Sequence, residues 1–383
     1  EIMSSDWSSD VCSSDLLVPS RLAALMAHED LQVRRRASRC LALLTGDEEW
    51  NRYEKVAPEK KNPRPLNSND LEQRIRHPAS RSGAALNKLQ GFIASRKIPD
   101  RGFLKSFAKR ITKEEYPGLF DAIREGGIIF GIEKPEAFIS FGEYNVAVRG
   151  FENDPSFILI GNEYLEAGGK FSMSIPEMRF LIGSEFGSLR FNFTRITSAD
   201  VWEGLFDKTI SVMELFPVIG GFLGKIGSLG KFAIQARQLS GTVGNVRQYV
   251  SHAWSLAARA QDFYKGKKSV GAGKSGERKD ADEMERNLIG AVREMRLTSD
   301  RAGLVLSGNL KSAVRAIFKS SASLVDHFAE MERKGLKEFL SQKDANGTLI
   351  HQNLAIRIAA LFSFYLSEDY RKARDAAFVR IKE

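Results

Sequence analysis

Cysteine is nearly missing from this chain: Cys12 and Cys40 are the only two among 383 residues. So sparse a set builds neither a disulfide framework nor a cysteine-based metal site. It also favours a reducing compartment, so a cytoplasmic location is expected. Histidine is scarce as well. The five are His28, His77, His252, His327 and His351. No two stand four residues apart, which excludes a helical His pair as a metal grip. No uncharged apolar run reaches about eighteen residues, so no transmembrane helix is expected. No recognisable nucleic-acid module occurs either. What is present is 43% apolar residues, ample for one large domain or two smaller ones.

The first sixteen residues stand apart. Asp6 to Leu16 reads as a translated sequencing adapter, and residues 1–16 are set aside as an artefact. The true N-terminus is then expected to be missing, and Cys40 is the one cysteine left. Glu1, Asp6, Asp10 and Asp15 are the only charges in that piece, so without them the net charge of +9 becomes +13. Such basicity suits nucleic acid or an acidic membrane surface. The Lys and Arg residues are spread along the chain among acids, however. A solvated basic surface is the expectation, and nucleic acid is not an expected partner.

The patterning predicts an α+β chain, mainly helical, with a small antiparallel or mixed sheet. Residues 17–46 read as helical, and Asp30, Val33, Arg34, Ala37 and Leu41 are spaced like part of a HEAT repeat, as at the end of an array. Residues 47–81, polar and holding Pro58, Pro63, Pro65 and Pro78, read as a linker. Residues 82–383 form the main domain. Within it, residues up to Glu125 carry helical patterning. Phe138 to Phe141 and Asn145 to Arg149 are strand-like, and Gly142-Glu143-Tyr144 between them predicts a hairpin. Phe157 to Gly161 reads as a buried strand. Phe216 to Ile234 is apolar and Gly-rich, either a connection packed across the core or an interfacial membrane helix. Residues 265–286 form a charged loop expected to be mobile. Its Gly271-Ala272-Gly273-Lys274-Ser275 falls short of a phosphate loop, because Lys268 stands where the pattern needs glycine and no strand precedes it. Helical patterning returns from Met284 to Leu306, then around Lys311 to Phe339 and Leu349 to Leu366.

One helix carries the functional question. Ser174 and Glu177 have capping-box spacing, and Pro176 fits a first turn. Met178, Ile182, Phe186, Leu189 and Phe193 then recur at helical steps, predicting one buried face. Ser184, Glu185 and Ser188 lie on the adjoining stripe, with the two serines one turn apart.

This helix, its preceding strand and Thr298-Ser299-Asp300-Arg301-Ala302-Gly303-Leu304 about 110 residues on together resemble metallopeptidase family forty-eight, the gluzincin-type HtpX and CAAX-prenyl endopeptidases with their soluble bacterial relatives. The similarity runs from Leu86 to Tyr370. It implies a zincin-like core, with a sheet beside a degenerate active-site helix. Family members carry His where this chain has Ser184 and Ser188, and the general base falls on Glu185. The third zinc ligand, a Glu, falls on Arg296. A weaker match pairs His351 with Arg357, though Gln352 replaces a proline. The family also implies an edge strand that holds extended substrate, here at Tyr144, Val146 and Val148.

Three ligand losses together remove the first shell. A serine hydroxyl is a poor neutral ligand. At ~4 Å and an effective dielectric near 20, unit charges interact by about 4 kcal/mol, so a guanidinium beside a dication is repelled by about twice that. Arg296 is therefore expected to replace the metal as counter-charge to Glu185, with Asp300 a second partner at i+4. The expectation is a catalytically inactive domain with no cofactor that binds a protein or peptide. The alternatives are an active zinc endopeptidase with atypical ligands, and a membrane-surface or nucleic-acid binding module, the membrane contact acting through residues 216–234. The bland reading is that Gly183, Ser184, Gly187 and Ser188 let helices pack closely.

Overall fold

The computed structural model describes residues 17–51, 53, 66–78, 101–141, 147–195, 293–320, 322–345 and 347–382. The apolar segment 216–234, the charged loop 265–286, the Gly271–Ser275 stretch, Tyr144 and Val146 lie outside them, as does the turn Gly142-Glu143-Tyr144. Two compact units divide the chain. The first comprises Glu1–Gly83, Ile98–Phe191 and Glu294–Glu383. The second, Ala84–Lys97 with Asn192–Arg293, lies almost wholly outside the described residues.

The first unit is mainly helical with one four-stranded mixed sheet. Its strands are β1 (Ala108–Arg110), β2 (Glu136–Ser140), β3 (Val148–Phe151) and β4 (Phe157–Gly161), in the order β1-β2-β4-β3. β2 and β4 run parallel, with Phe138 opposite Leu159, and the other pairings are antiparallel. The hairpin expected between residues 138 and 149 does not form. All five residues of β4 are buried, so it takes a central place and separates β2 from β3. β3 instead turns directly into β4, with Gly150 opposite Ile158. β1 lies where helix was expected. Its exposed Lys109 and Arg110 give no strand signal, and they suit a short charged edge.

The helices are α1 (Pro19–Ala24), α2 (Leu31–Thr45), α3 (Ser68–Ile75), α4 (Pro117–Phe130), α5 (Ile175–Arg190), α6 (residues 293–307), α7 (Leu310–Lys319), α8 (Ala322–Lys334), α9 (Leu336–Leu340), α10 (Gln352–Leu366) and α11 (Glu368–Lys382). α3 falls inside the expected linker. Asn67 caps it by accepting the Asp70 N–H, and Leu71 and Ile75 are buried. The single helix expected from Lys311 to Phe339 is three, broken at Ser320 and at Gly335, whose φ of 84° a side chain disfavours.

α5 starts where the capping pattern placed it: the Glu177 carboxylate accepts from the Ser174 N–H at 2.7 Å and from the Ser174 hydroxyl at 3.0 Å. Its expected apolar face is buried. Phe186 stacks on Phe130 of α4, ring centroids 6.3 Å apart. α2 packs against α9 and α10 within the same unit. Its buried Arg36 donates to the carbonyls of Tyr365 and Ser367 at 3.2 and 2.9 Å, satisfying the C-terminal end of α10. No helix among the described residues is long and apolar enough to cross a membrane.

Candidate functional site

α5 meets α6 through small residues. A Cβ on Gly187 would lie 2.4 Å from the Ala302 Cβ, and one on Gly183 would lie 2.7 Å from the Leu306 Cβ. Carbon atoms normally rest ~3.5–4.0 Å apart, so glycine alone permits this approach. From the α6 side, a Cβ on Gly303 would meet the Phe180 carbonyl oxygen at 2.5 Å. The close-packing role that the sequence allowed for Gly183 and Gly187 is therefore present. It brings the serine stripe of α5 against Ser299, one turn along α6 from Arg296.

The serines are used in this contact. Ser184 is buried. The Ser188 hydroxyl lies 3.0 Å from the Ser184 carbonyl and 2.9 Å from the Ser299 hydroxyl, which itself lies 3.0 Å from the Met295 carbonyl; the two hydroxyl protons serve two of these three contacts at a time. None of these partners is a base that could activate a serine nucleophile.

Glu185 faces the sheet. Its Oε2 accepts the Gly150 N–H at 2.9 Å, and its Oε1 lies 3.8 Å from Arg149 Nη1. The same Arg149 nitrogen donates to the Val148 carbonyl at 3.3 Å. β3 is an edge strand, and its Val148 carbonyl and Gly150 N–H are thus already engaged from within the unit. Val148, expected on a peptide-binding edge, is itself buried.

Asp300 anchors the other side. Only 1% exposed, it takes both prongs of the Arg357 fork, from Nε at 2.8 Å and Nη2 at 2.9 Å. Arg296 Nε stands 3.7 Å from Asp300 Oδ1, with its side chain 31% exposed. The expected Arg296–Glu185 ion pair is not made. Glu185 is held by the Gly150 amide, with Arg149 its nearest cation, and acts on Arg296 only at longer electrostatic range.

Repulsion from Arg357, then burial, pull the Arg296 guanidinium down to about 10; Arg149 adds repulsion, and Asp300 and Glu185 oppose it. The sign of the consequence follows. A base held below its unfolded value costs stability while protonated. That cost is complete below about 10 and fades as pH rises above it toward the ordinary arginine range. Arg296→Gln should therefore stabilise the protein at pH 7, by about 1 kcal/mol once solvent screening is allowed for. A thermal melt checks this. A lower midpoint for the variant would mean that the Asp300 contact outweighs the repulsion.

His351 and Arg357, matched together in the sequence, part company in space. Arg357 enters the cluster, whereas the His351 ring stacks on Phe339 at 4.2 Å and abuts His327 at 5.0 Å. Burial, then the His327 charge, hold the His351 imidazole below its usual range. Glu294, the acid nearest in sequence to Arg296, has its Oε2 buried without a hydrogen-bond partner, and burial raises its carboxyl. Among the described residues, no three His, Cys, Asp or Glu side chains are grouped to hold a metal ion. Sequence reasoning missed Arg149 and Gly150, and it quoted Ser299 within a motif without giving it a role. Their distant partners are what single them out. Chemically, Arg296 and Arg357 are set against Asp300, and Arg149 and Glu185 at the β3 edge act on them at longer electrostatic range. Comparisons with protein-family models, curated proteins and solved structures find no match for this chain.

Proposed function

We propose that this chain is a non-hydrolytic relative of zinc metallopeptidases, a zincin-like frame kept to bind a protein or peptide. The observation that carries the reading is the fate of Glu185. The residue at the general-base position has its Oε2 committed to the Gly150 amide of the neighbouring strand. The replacement of the family's other polar groups by Ser184, Ser188 and Arg296 points the same way. A carboxylate that activates water directs an oxygen at a metal-bound nucleophile, whereas the second oxygen of Glu185, Oε1, lies 3.8 Å from the Arg149 guanidinium. Here it serves instead as a brace between α5 and β3.

The purified protein is expected to carry no stoichiometric zinc and to leave unfolded casein intact with or without chelator. Stoichiometric zinc or chelator-sensitive cleavage would overturn the reading. The zincin frame has its own test. The triple variant Ser184→His, Ser188→His, Arg296→Glu should bind one zinc ion per chain where the parent binds none. A folded triple variant that takes up no zinc would show that α5 and α6 do not present these positions as a peptidase does.

A further inference from the structure

Two of the five histidines meet at a place the proposed function does not use. His327 lies on α8, and His351 stands at the N-cap of α10. Their rings abut at 5.0 Å, and the His351 ring lies flat on Phe339 of α9, centroids 4.2 Å apart. Phe339 is fully buried, whereas the His327 side chain is 41% exposed, so protons reach the pair from solvent. The turn that joins α9 to α10 is tied to α8 at this point. Gln342 Nε2 donates to Glu330 Oε1 at 3.2 Å, and the Ile350 N–H closes back on the Gln342 carbonyl at 3.0 Å.

The charges around the two rings are unevenly placed. Glu330 Oε1 receives Lys334 at 2.7 Å besides Gln342. Its Oε2 stands 3.9 Å from His327 Nδ1, where it can balance a charge on that ring. At His351, burial first and then the His327 charge oppose a proton, and the Glu330 charge that favours one is outweighed. α9 presents the Phe339 ring, whose face returns part of the cost of a cation. The start of α10 adds to that cost. The His351 carbonyl accepts the Ala355 N–H at 2.9 Å, and a helix N-terminus carries partial positive charge.

We propose that His327 and His351 form an acid-released latch, which holds the α9–α10 turn on α8 at neutral pH and frees it in mild acid. The direction follows from linkage. In the opened turn an imidazole titrates near its ordinary value of about 6.5. In the closed turn His351 resists the proton. Closure is therefore fully favoured above about pH 6.5 and loses ground as pH falls through that value, until the closed form is protonated as well. The latch controls the first turn of α10, the helix that also carries Arg357 to Asp300.

Hydrogen exchange of the full chain, read by mass spectrometry and corrected for the intrinsic effect of pH on exchange, tests the proposal. Protection of peptides from Gln342 to Ala355 should fall at least about fivefold between about pH 7.5 and about pH 5.5, well within what two like charges at 5.0 Å can supply. Peptides from α5, which holds no histidine, should change little over the same range. His351→Gln should flatten the profile of the turn, because the resisted proton then has no site. His327→Gln should shrink the response by removing the like charge, leaving the part due to burial. The slope with pH is the readout, so a variant whose turn is looser at every pH still reports. Should His351→Gln fail to fold, the more exposed His327 position supplies the comparison. A flat parent profile overturns the proposal. So does a profile that neither variant alters, since other groups then titrate. Loss of protection in α5 in step with the turn would mean global unfolding, and that outcome also rules out a local latch.

Discussion

Replacing Arg357 by methionine should cost the fold about 3–5 kcal/mol, the largest effect expected of any single polar side chain here. The reason lies in what is left behind. Asp300 is 1% exposed and receives hydrogen bonds from Arg357 at 2.8 and 2.9 Å. Without that fork the one cation left within ion-pair range among the described residues is Arg296, at 3.7 Å and 31% exposed. A buried carboxylate deprived of its partner bears its desolvation alone. The companion experiment removes both charges. Arg357→Met with Asp300→Leu should recover most of the loss, because a buried pair exchanged for apolar groups of similar size is often neutral. Chemical denaturation of the two variants measures the difference. A single variant within about 1 kcal/mol of the parent would mean that water already screens Asp300.

The second large effect concerns the seam between α5 and α6. Gly187→Ala places a methyl 2.4 Å from the Ala302 methyl, more than 1 Å inside ordinary contact. Overpacking of this kind costs about 1–3 kcal/mol. Alanine's better helix propensity returns about 1 kcal/mol, so a net loss of up to about 2 kcal/mol is expected. The collision has a named partner, which makes the claim specific. Gly187→Ala combined with Ala302→Gly moves the methyl from one helix to the other. The double variant should be more stable than the sum of the single effects by at least about 1 kcal/mol. Strict additivity would show that the helices separate freely and that the seam does not depend on glycine. Any such separation would also shift Ser188 away from Ser299.

Legibility from the sequence followed the range of the interactions. α5 was readable because its determinants are local: the Ser174–Glu177 spacing and an apolar repeat within sixteen residues. The same Glu177, however, is also buried against Arg315 and Lys319, and nothing near it announces that pair. The order of the strands was not readable. Glu136–Ser140 and Val148–Phe151 are neighbours in sequence, yet the fully buried Phe157–Gly161 comes between them. At the candidate site, Arg296 and Asp300 were legible as a pair because they stand one helical turn apart. The claim on Glu185 by Gly150, 35 residues earlier, was not. α11 escaped notice because its polar, charged surface hides a thin buried stripe of Ala373, Ala376 and Ala377.

Arg36 ties α2 to the end of α10 across 329 and 331 residues of chain. Its consequence is kinetic. Contacts of such span form late, because a long loop must close before they return any free energy. During synthesis the side of α2 that packs on α10 waits for its partner until Tyr365 and Ser367 have emerged. At ~5–20 residues per second that wait lasts about 16–70 s, long enough for chaperones or neighbouring chains to compete for the exposed surface. The yield of folded protein should therefore be governed by how the nascent chain is protected, more than by the stability it finally reaches.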